Sequence, residues 1–128
     1  MSEARDDTTR EGLTILVLDD EPMILVDLQF TLEDAGLTPV TAPTAEMALE
    51  RIARARPDAA VLDVNLGGGE TCEAVAARLE DMGVPFILYT GDLDRRGEVV
   101  ASFDAPILPK PTPAHRVVEA LLKMTREG

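Results

Sequence analysis

Apolar residues along this chain gather in short runs that stop at acids, prolines or glycines, and between the runs they recur at helical spacing. Residues 13–18 form the first run, bounded by Gly12 and Asp19. So short and continuous a run predicts a strand buried on both faces. Pro22 then suits the first turn of a helix on which Leu25, Leu28 and Leu32 share a face, until Gly36 ends it. The alternation repeats. A weaker strand over 37–41 precedes a helix over 44–55 that turns Ala45, Ala48, Leu49 and Ile52 inward and is closed by Pro57. A strand over 59–62 runs into Asp63, and after the Gly67-Gly68-Gly69 loop a helix carries Ala74, Val75 and Leu79 to an end near Gly83. A fourth strand spans 84–89, followed by a poorly patterned helix around 94–102 and a short strand over 106–108. The last helix follows Pro113 and carries Val117, Val118, Leu121 and Leu122.

Five strand-helix units with short connections predict an α/β fold, a doubly wound five-stranded parallel sheet, because parallel strands need crossovers and the crossovers cover both faces. One domain over 13–126 behind a polar lead-in over 1–12 accounts for the 128 residues. Only 3% of residues are aromatic, so the core is expected to be aliphatic. The net charge of -12 disfavours a polyanionic partner, so no nucleic acid is expected, and cations or basic proteins suit the chain better. Cys72 stands alone, which excludes an internal disulfide and fits a reducing, cytoplasmic setting. Without a long apolar run, no membrane association is expected.

Ligands of open parallel sheets bind outside the carboxyl ends of the strands, where strand order reverses. The residues at those ends are Asp19, Asp20 and Glu21 after the first strand, Asp63 and Asn65 after the third, Thr90 after the fourth and Lys110 after the fifth. The second strand offers only Thr41 and Ala42, as an edge strand would. Carboxylates crowded in a partly desolvated cleft repel one another unless a cation joins them. A donor set of oxygens alone suits Mg²⁺, with Mn²⁺ as a substitute. Each residue also has a plainer reading. Asp63 could cap a strand, Asp19 or Asp20 could cap the helix at Pro22, Glu21 and Lys110 could be solvated, and His115 most simply faces solvent.

The stretches LVLDDEP (16–22), VLDVNLGGGE (61–70), ILYTG (87–91) and PKP (109–111), in this order, resemble the receiver domains of bacterial response regulators, and the resemblance spans essentially the whole chain. It implies a flavodoxin-like, CheY-like sheet in the order 2-1-3-4-5. It also implies that Asp63 accepts a phosphoryl group from the phosphohistidine of a histidine kinase or phosphotransfer protein. Asp20 and Asp63 would bind Mg²⁺ directly, Asp19 mainly through water and Asn65 through its backbone carbonyl, while Thr90 and Lys110 would contact the phosphoryl oxygens. A cis Lys110-Pro111 bond is expected on the same ground. Such a domain is a phosphoacceptor rather than an enzyme, apart from slow self-dephosphorylation, and would signal to a downstream protein target. With no output domain after the last helix, the chain is expected to stand alone as effector, phosphate shuttle or sink.

The resemblance has departures. Receivers typically carry an aromatic residue three positions before the strand-five lysine, where this chain has Ile107, so switching is expected to fall on residues 91–103 instead. Pro85, Phe86, Thr90 and Gly91 resemble a receiver subgroup associated with HWE-type kinases, though Leu88 and Asp92 break its pattern. Two other readings fit less well. A metal-dependent phosphohydrolase would want Asp-x-Asp on the first strand, which Asp19-Asp20-Glu21 does not supply. A binding module that is never phosphorylated would not need Asp63, Thr90 and Lys110 together. The triple glycine lacks the Lys-Ser/Thr ending of a nucleotide-binding loop.

Overall fold

The computed structural model describes residues 12–91 and 103–127. Five parallel strands, β1 (Thr14–Leu18), β2 (Thr38–Ala42), β3 (Ala59–Asp63), β4 (Phe86–Thr90) and β5 (Ile107–Pro109), form one sheet in the order β2-β1-β3-β4-β5. Among the described residues four helices cover it: α1 (Pro22–Asp34), α2 (Ala45–Arg54), α3 (Glu73–Met82) and α4 (Ala114–Glu127). The expected α/β class and strand order hold. The helix expected around 94–102 lies outside the described residues, as does most of the segment expected to carry switching.

Strand alternation divides the core into two layers. Leu16, Leu18, Ala60, Leu62, Phe86 and Leu88 pack with Ala48 and Ile52 of α2 and Val75 and Leu79 of α3. Ile15, Val17, Ala59, Val61, Ile87 and Tyr89 pack on the opposite side with Leu28 and Leu32 of α1 and Val117 and Leu121 of α4. All five residues of β3 are buried, as its place at the centre of the sheet demands.

Helix ends follow local chemistry. Pro22 opens α1 and the Thr44 hydroxyl accepts the Met47 amide at 3.1 Å to cap α2. Gly83, at φ +75°, closes α3 in a left-handed turn that a residue with a Cβ adopts only under strain. Strand boundaries differ from expectation by one or two residues, and three of the shifts have a visible backbone cause. β2 begins at Thr38 rather than 37 because the Leu37 amide closes α1 on the Leu32 carbonyl at 2.9 Å. β4 begins at Phe86 rather than 84 because the Val84 amide is used at the end of α3, on the Leu79 carbonyl, and Pro85 has no N–H to give a ladder. β5 runs one residue later than expected, Pro106 giving only its carbonyl, to the Leu88 amide. The outermost strands both contain proline, Pro39 in β2 and Pro109 in β5. No helix among the described residues is long and apolar enough to cross a membrane.

Candidate functional site

Because all five strands run the same way, their last residues share one rim of the sheet. Asp63 ends β3, Thr90 ends β4, Asp19 follows β1 and Lys110 follows β5, and the central position of β3 puts Asp63 between β1 and β4. Asp20, Glu21, Asp63, Asn65, Gly67, Thr90, Gly91 and Lys110 line a cleft of about 310 Å³ there. A wider groove of about 800 Å³ lies between α1 and α4, away from the strand ends, and is lined by Phe30, Asp34, His115 and Leu122 among others. His115 is exposed in the first turn of α4, as its plainer reading expected.

Asp19 and Asp63 are buried, and Thr90 with them, whereas Asp20 and Glu21 are exposed. The Lys110 ammonium stands among the acids, 2.8 Å from Glu21 Oε1, 3.0 Å from Asp19 Oδ2 and 3.4 Å from Asp63 Oδ2. Backbone amides take the other oxygens: Glu21 N–H donates to Asp19 Oδ1 at 2.9 Å and Asn65 N–H to Asp63 Oδ1 at 3.3 Å. Asp19 thus holds the turn before α1 while facing Lys110, but it does not cap the helix: the N-cap is Glu21, without a side-chain cap hydrogen bond. The Lys110-Pro111 bond is cis, as expected.

Burial raises the Asp63 carboxyl to a pKa of about 7; the charge of Asp19 adds to the rise, and Lys110 together with the Asn65 amide only partly offsets them. Burial likewise raises Asp19, against the pull of the Glu21 amide and Lys110. For Lys110 burial acts to lower the pKa, but its hydrogen bonds to Glu21 and Asp19 and the charges of Asp19 and Asp63 outweigh burial and raise it. One cation therefore faces more negative charge than it neutralises. Cys72 is buried, and burial first, then the charge of Asp63, pushes its thiol up to about 12, which leaves it inert as a nucleophile.

The donor set fits a hard divalent cation. One carboxylate oxygen from each of Asp19, Asp20 and Asp63 can be chosen so that all lie within 4.8 Å of one another. Asp19 Oδ2 is buried, and among the described residues the Lys110 ammonium at 3.0 Å is its partner. The loop beside these acids is shaped by glycine. Gly67, Gly68 and Gly69 all have positive φ, and the loop closes through Leu66 N–H to Glu70 O at 2.9 Å and an antiparallel bridge between Asn65 and Thr71. A Cβ on Gly67 would lie 3.1 Å from Asp20 Oδ2. Gly67→Ala is therefore expected to cost about 1 kcal/mol or more in urea unfolding, from backbone strain and from crowding Asp20; an unchanged midpoint would contradict this.

Two contacts of Lys110 were not expected from the sequence. Glu21 is a partner of Lys110, and its only sequence signal was its place as the third acid in a row. Tyr89, which strand alternation turns to the face opposite Thr90, lies 5.5 Å beneath the Lys110 ammonium by its ring centroid. Ile107 is 39% exposed on β5.

Residues 15–122 match the family described as response regulator receiver domain. The chain is 30% identical to the protein-glutamate methylesterase/protein-glutamine glutaminase 3 of Hahella chejuensis, over 89% of its own length and 36% of that protein. It is 36% identical to the response regulator MprA of Mycobacterium ulcerans, over 90% of its length and 52% of that protein. The chain thus spans between about a third and a half of the length of these curated relatives. Among solved structures, a CheY-like receiver domain protein from Methanospirillum hungatei superposes with a TM-score of 0.81 at 21% identity, covering 91% of this chain and 96% of that one, a likeness of fold. With its five-stranded order and the acids and lysine at its strand ends, the chain belongs to the response regulator receiver domain family, the phosphoacceptor domains of two-component signalling.

Proposed function

We propose that residues 13–126 act as a receiver whose phosphoacceptor is Asp63, served by Mg²⁺ at Asp19, Asp20, Asp63 and the Asn65 backbone carbonyl, with Thr90 and Lys110 as the phosphoryl-binding residues. The observation that carries this is the convergence of Lys110 on Asp63 and Asp19 at the rim of the central strand. A divalent cation bound there supplies neutralisation of the charge on the phosphoryl oxygens. The Asp63 carboxylate attacks the phosphorus of a phosphohistidine. The new P–O bond forms as the P–N bond breaks, and the leaving imidazole keeps the electron pair and takes a proton from water. Lys110, held at 3.4 Å from Asp63 Oδ2, needs only a small shift to pair with a phosphoryl oxygen, and Thr90 donates its hydroxyl to another.

The donor is a histidine kinase, of the HWE type on the partial match around Thr90, or a phosphotransfer protein. The response is a contact with a downstream protein in the cytoplasm, without nucleic acid or membrane. The acidic net charge supports a protein partner over a polyanion. The esterase activity in the Hahella name belongs to that protein, of which the chain matches about a third.

Incubation with a small phosphodonor and Mg²⁺, followed by intact mass, tests the reading: one phosphoryl group is expected with Mg²⁺ and none with a chelator. Asp20→Ala is expected to weaken Mg²⁺ binding about tenfold, equivalent to about 1.4 kcal/mol, since it deletes one of three converging carboxylates. Equal affinity by calorimetric titration would rule Asp20 out as a ligand.

A further inference from the structure

Tyr89 is the chain's only tyrosine, and there is no tryptophan. It occupies β4 in register with Asp63 of β3 on one side and Leu108 of β5 on the other, and it is buried. A buried phenol needs hydrogen-bond partners. Tyr89 finds both on one residue: its hydroxyl donates to the Thr112 carbonyl at 3.0 Å and accepts the Thr112 amide at 3.3 Å. Thr112 lies two residues past Lys110, and the Lys110 amide is itself bonded to the Thr90 carbonyl at 3.0 Å. The backbone around Lys110 is therefore fastened to β4 at two successive residues, Thr90 before the loop turns and Tyr89 after it.

The ring does more than fill the core. Its face lies 5.5 Å from the Lys110 ammonium, within the range of a cation-π contact. The ammonium pairs with Glu21, Asp19 and Asp63 and also lies over the ring. We propose that Tyr89 is a positioning residue for Lys110: its hydroxyl clamps Thr112, its ring supports the ammonium, and together they hold Lys110 where it meets the phosphoryl group on Asp63. The proposal rests on the receiver reading of Asp63 and Lys110.

Tyr89→Phe deletes one oxygen and keeps the ring, so it separates the clamp from core packing, and Tyr89→Leu removes both contacts. Lys110 and Lys123 are the chain's lysines, and Lys123 is exposed. The rate at which a small amine-reactive ester acylates Lys110 relative to Lys123, read by peptide mass, therefore reports how firmly Lys110 is held without any phosphorylation. Tyr89→Phe is expected to raise this ratio by about threefold or more, the loss of neutral hydrogen bonds, with the melting temperature lowered only by the few degrees those bonds account for and the fold retained. Tyr89→Leu is expected to raise it further. With a small phosphodonor, Tyr89→Phe is expected to slow phosphorylation of Asp63 by about threefold or more on the same ground, and to have no further effect in a Lys110→Ala background. An unchanged labelling ratio in Tyr89→Phe overturns the proposal, as does an equal slowing with and without Lys110. Should the parent chain take no phosphoryl group, the receiver reading fails, and the labelling ratio still decides whether Tyr89 holds Lys110.

Discussion

An Asp63→Asn chain incubated with a small phosphodonor and Mg²⁺ is expected to gain no stable phosphoryl group under conditions that phosphorylate the parent fully. An amide oxygen is a poor nucleophile toward phosphorus and brings no charge to a cation. The neighbouring acids are badly placed to substitute. Asp19 is engaged on one oxygen by the Glu21 amide and faces Lys110 with the other, and Asp20 is exposed beyond the strand end. Intact mass decides the outcome. Phosphorylation of Asp63→Asn to the parent's extent would remove Asp63 from the acceptor role, and peptide mapping would then name the residue that holds it.

The same substitution is expected to stabilise the metal-free protein above neutral pH. Folding raises the Asp63 carboxyl from an ordinary 3.8 to about 7, chiefly by burial and then by the charge of Asp19. Between those values the folded state keeps a proton that the unfolded state has released, so stability falls as pH rises from about 4 to about 7 and stays low above it. The full shift would be worth about 4 kcal/mol at 1.36 kcal/mol per unit. Residual solvent and the nearby Lys110 reduce this, so about 2 kcal/mol is the expected gain for Asp63→Asn at pH 8. Urea unfolding in chelator across pH 4 to 8 checks it: the gain should shrink toward zero near pH 4. A variant less stable than the parent at pH 8, or a gain independent of pH, would contradict the electrostatic origin.

The central strands were legible because their runs are buried on both faces: Ile15 to Leu18 and Ala59 to Leu62 read as continuous apolar segments. From that order the rim residues Asp19, Asp63, Thr90 and Lys110 followed, since a parallel sheet leaves little choice about where strand ends meet. Boundaries were less legible wherever one amide had two uses. Leu37 and Val84 look like strand residues, yet their N–H groups close the preceding helices. The pairing of Glu21 with Lys110 could not be read at all, because it joins positions 89 residues apart and depends on side-chain reach. For Tyr89 the face was legible from alternation, but its bond to Thr112 depends on how the loop after β5 turns.

Proline at both borders of the sheet has a consequence for how these molecules meet in a crowded cell. A border strand normally offers a row of unpaired amides onto which another chain can zip, the route to domain swapping and fibres. Pro39 on one border and Pro109 on the other each delete a donor, and β5 is only three residues long. Neither border makes a good template for a continuing ladder, so neighbouring copies can pass at high concentration without stitching their sheets together. Specific recognition then falls to the helical flanks and to the rim where the strands end, where Asp19, Asp20, Asp63 and Lys110 gather.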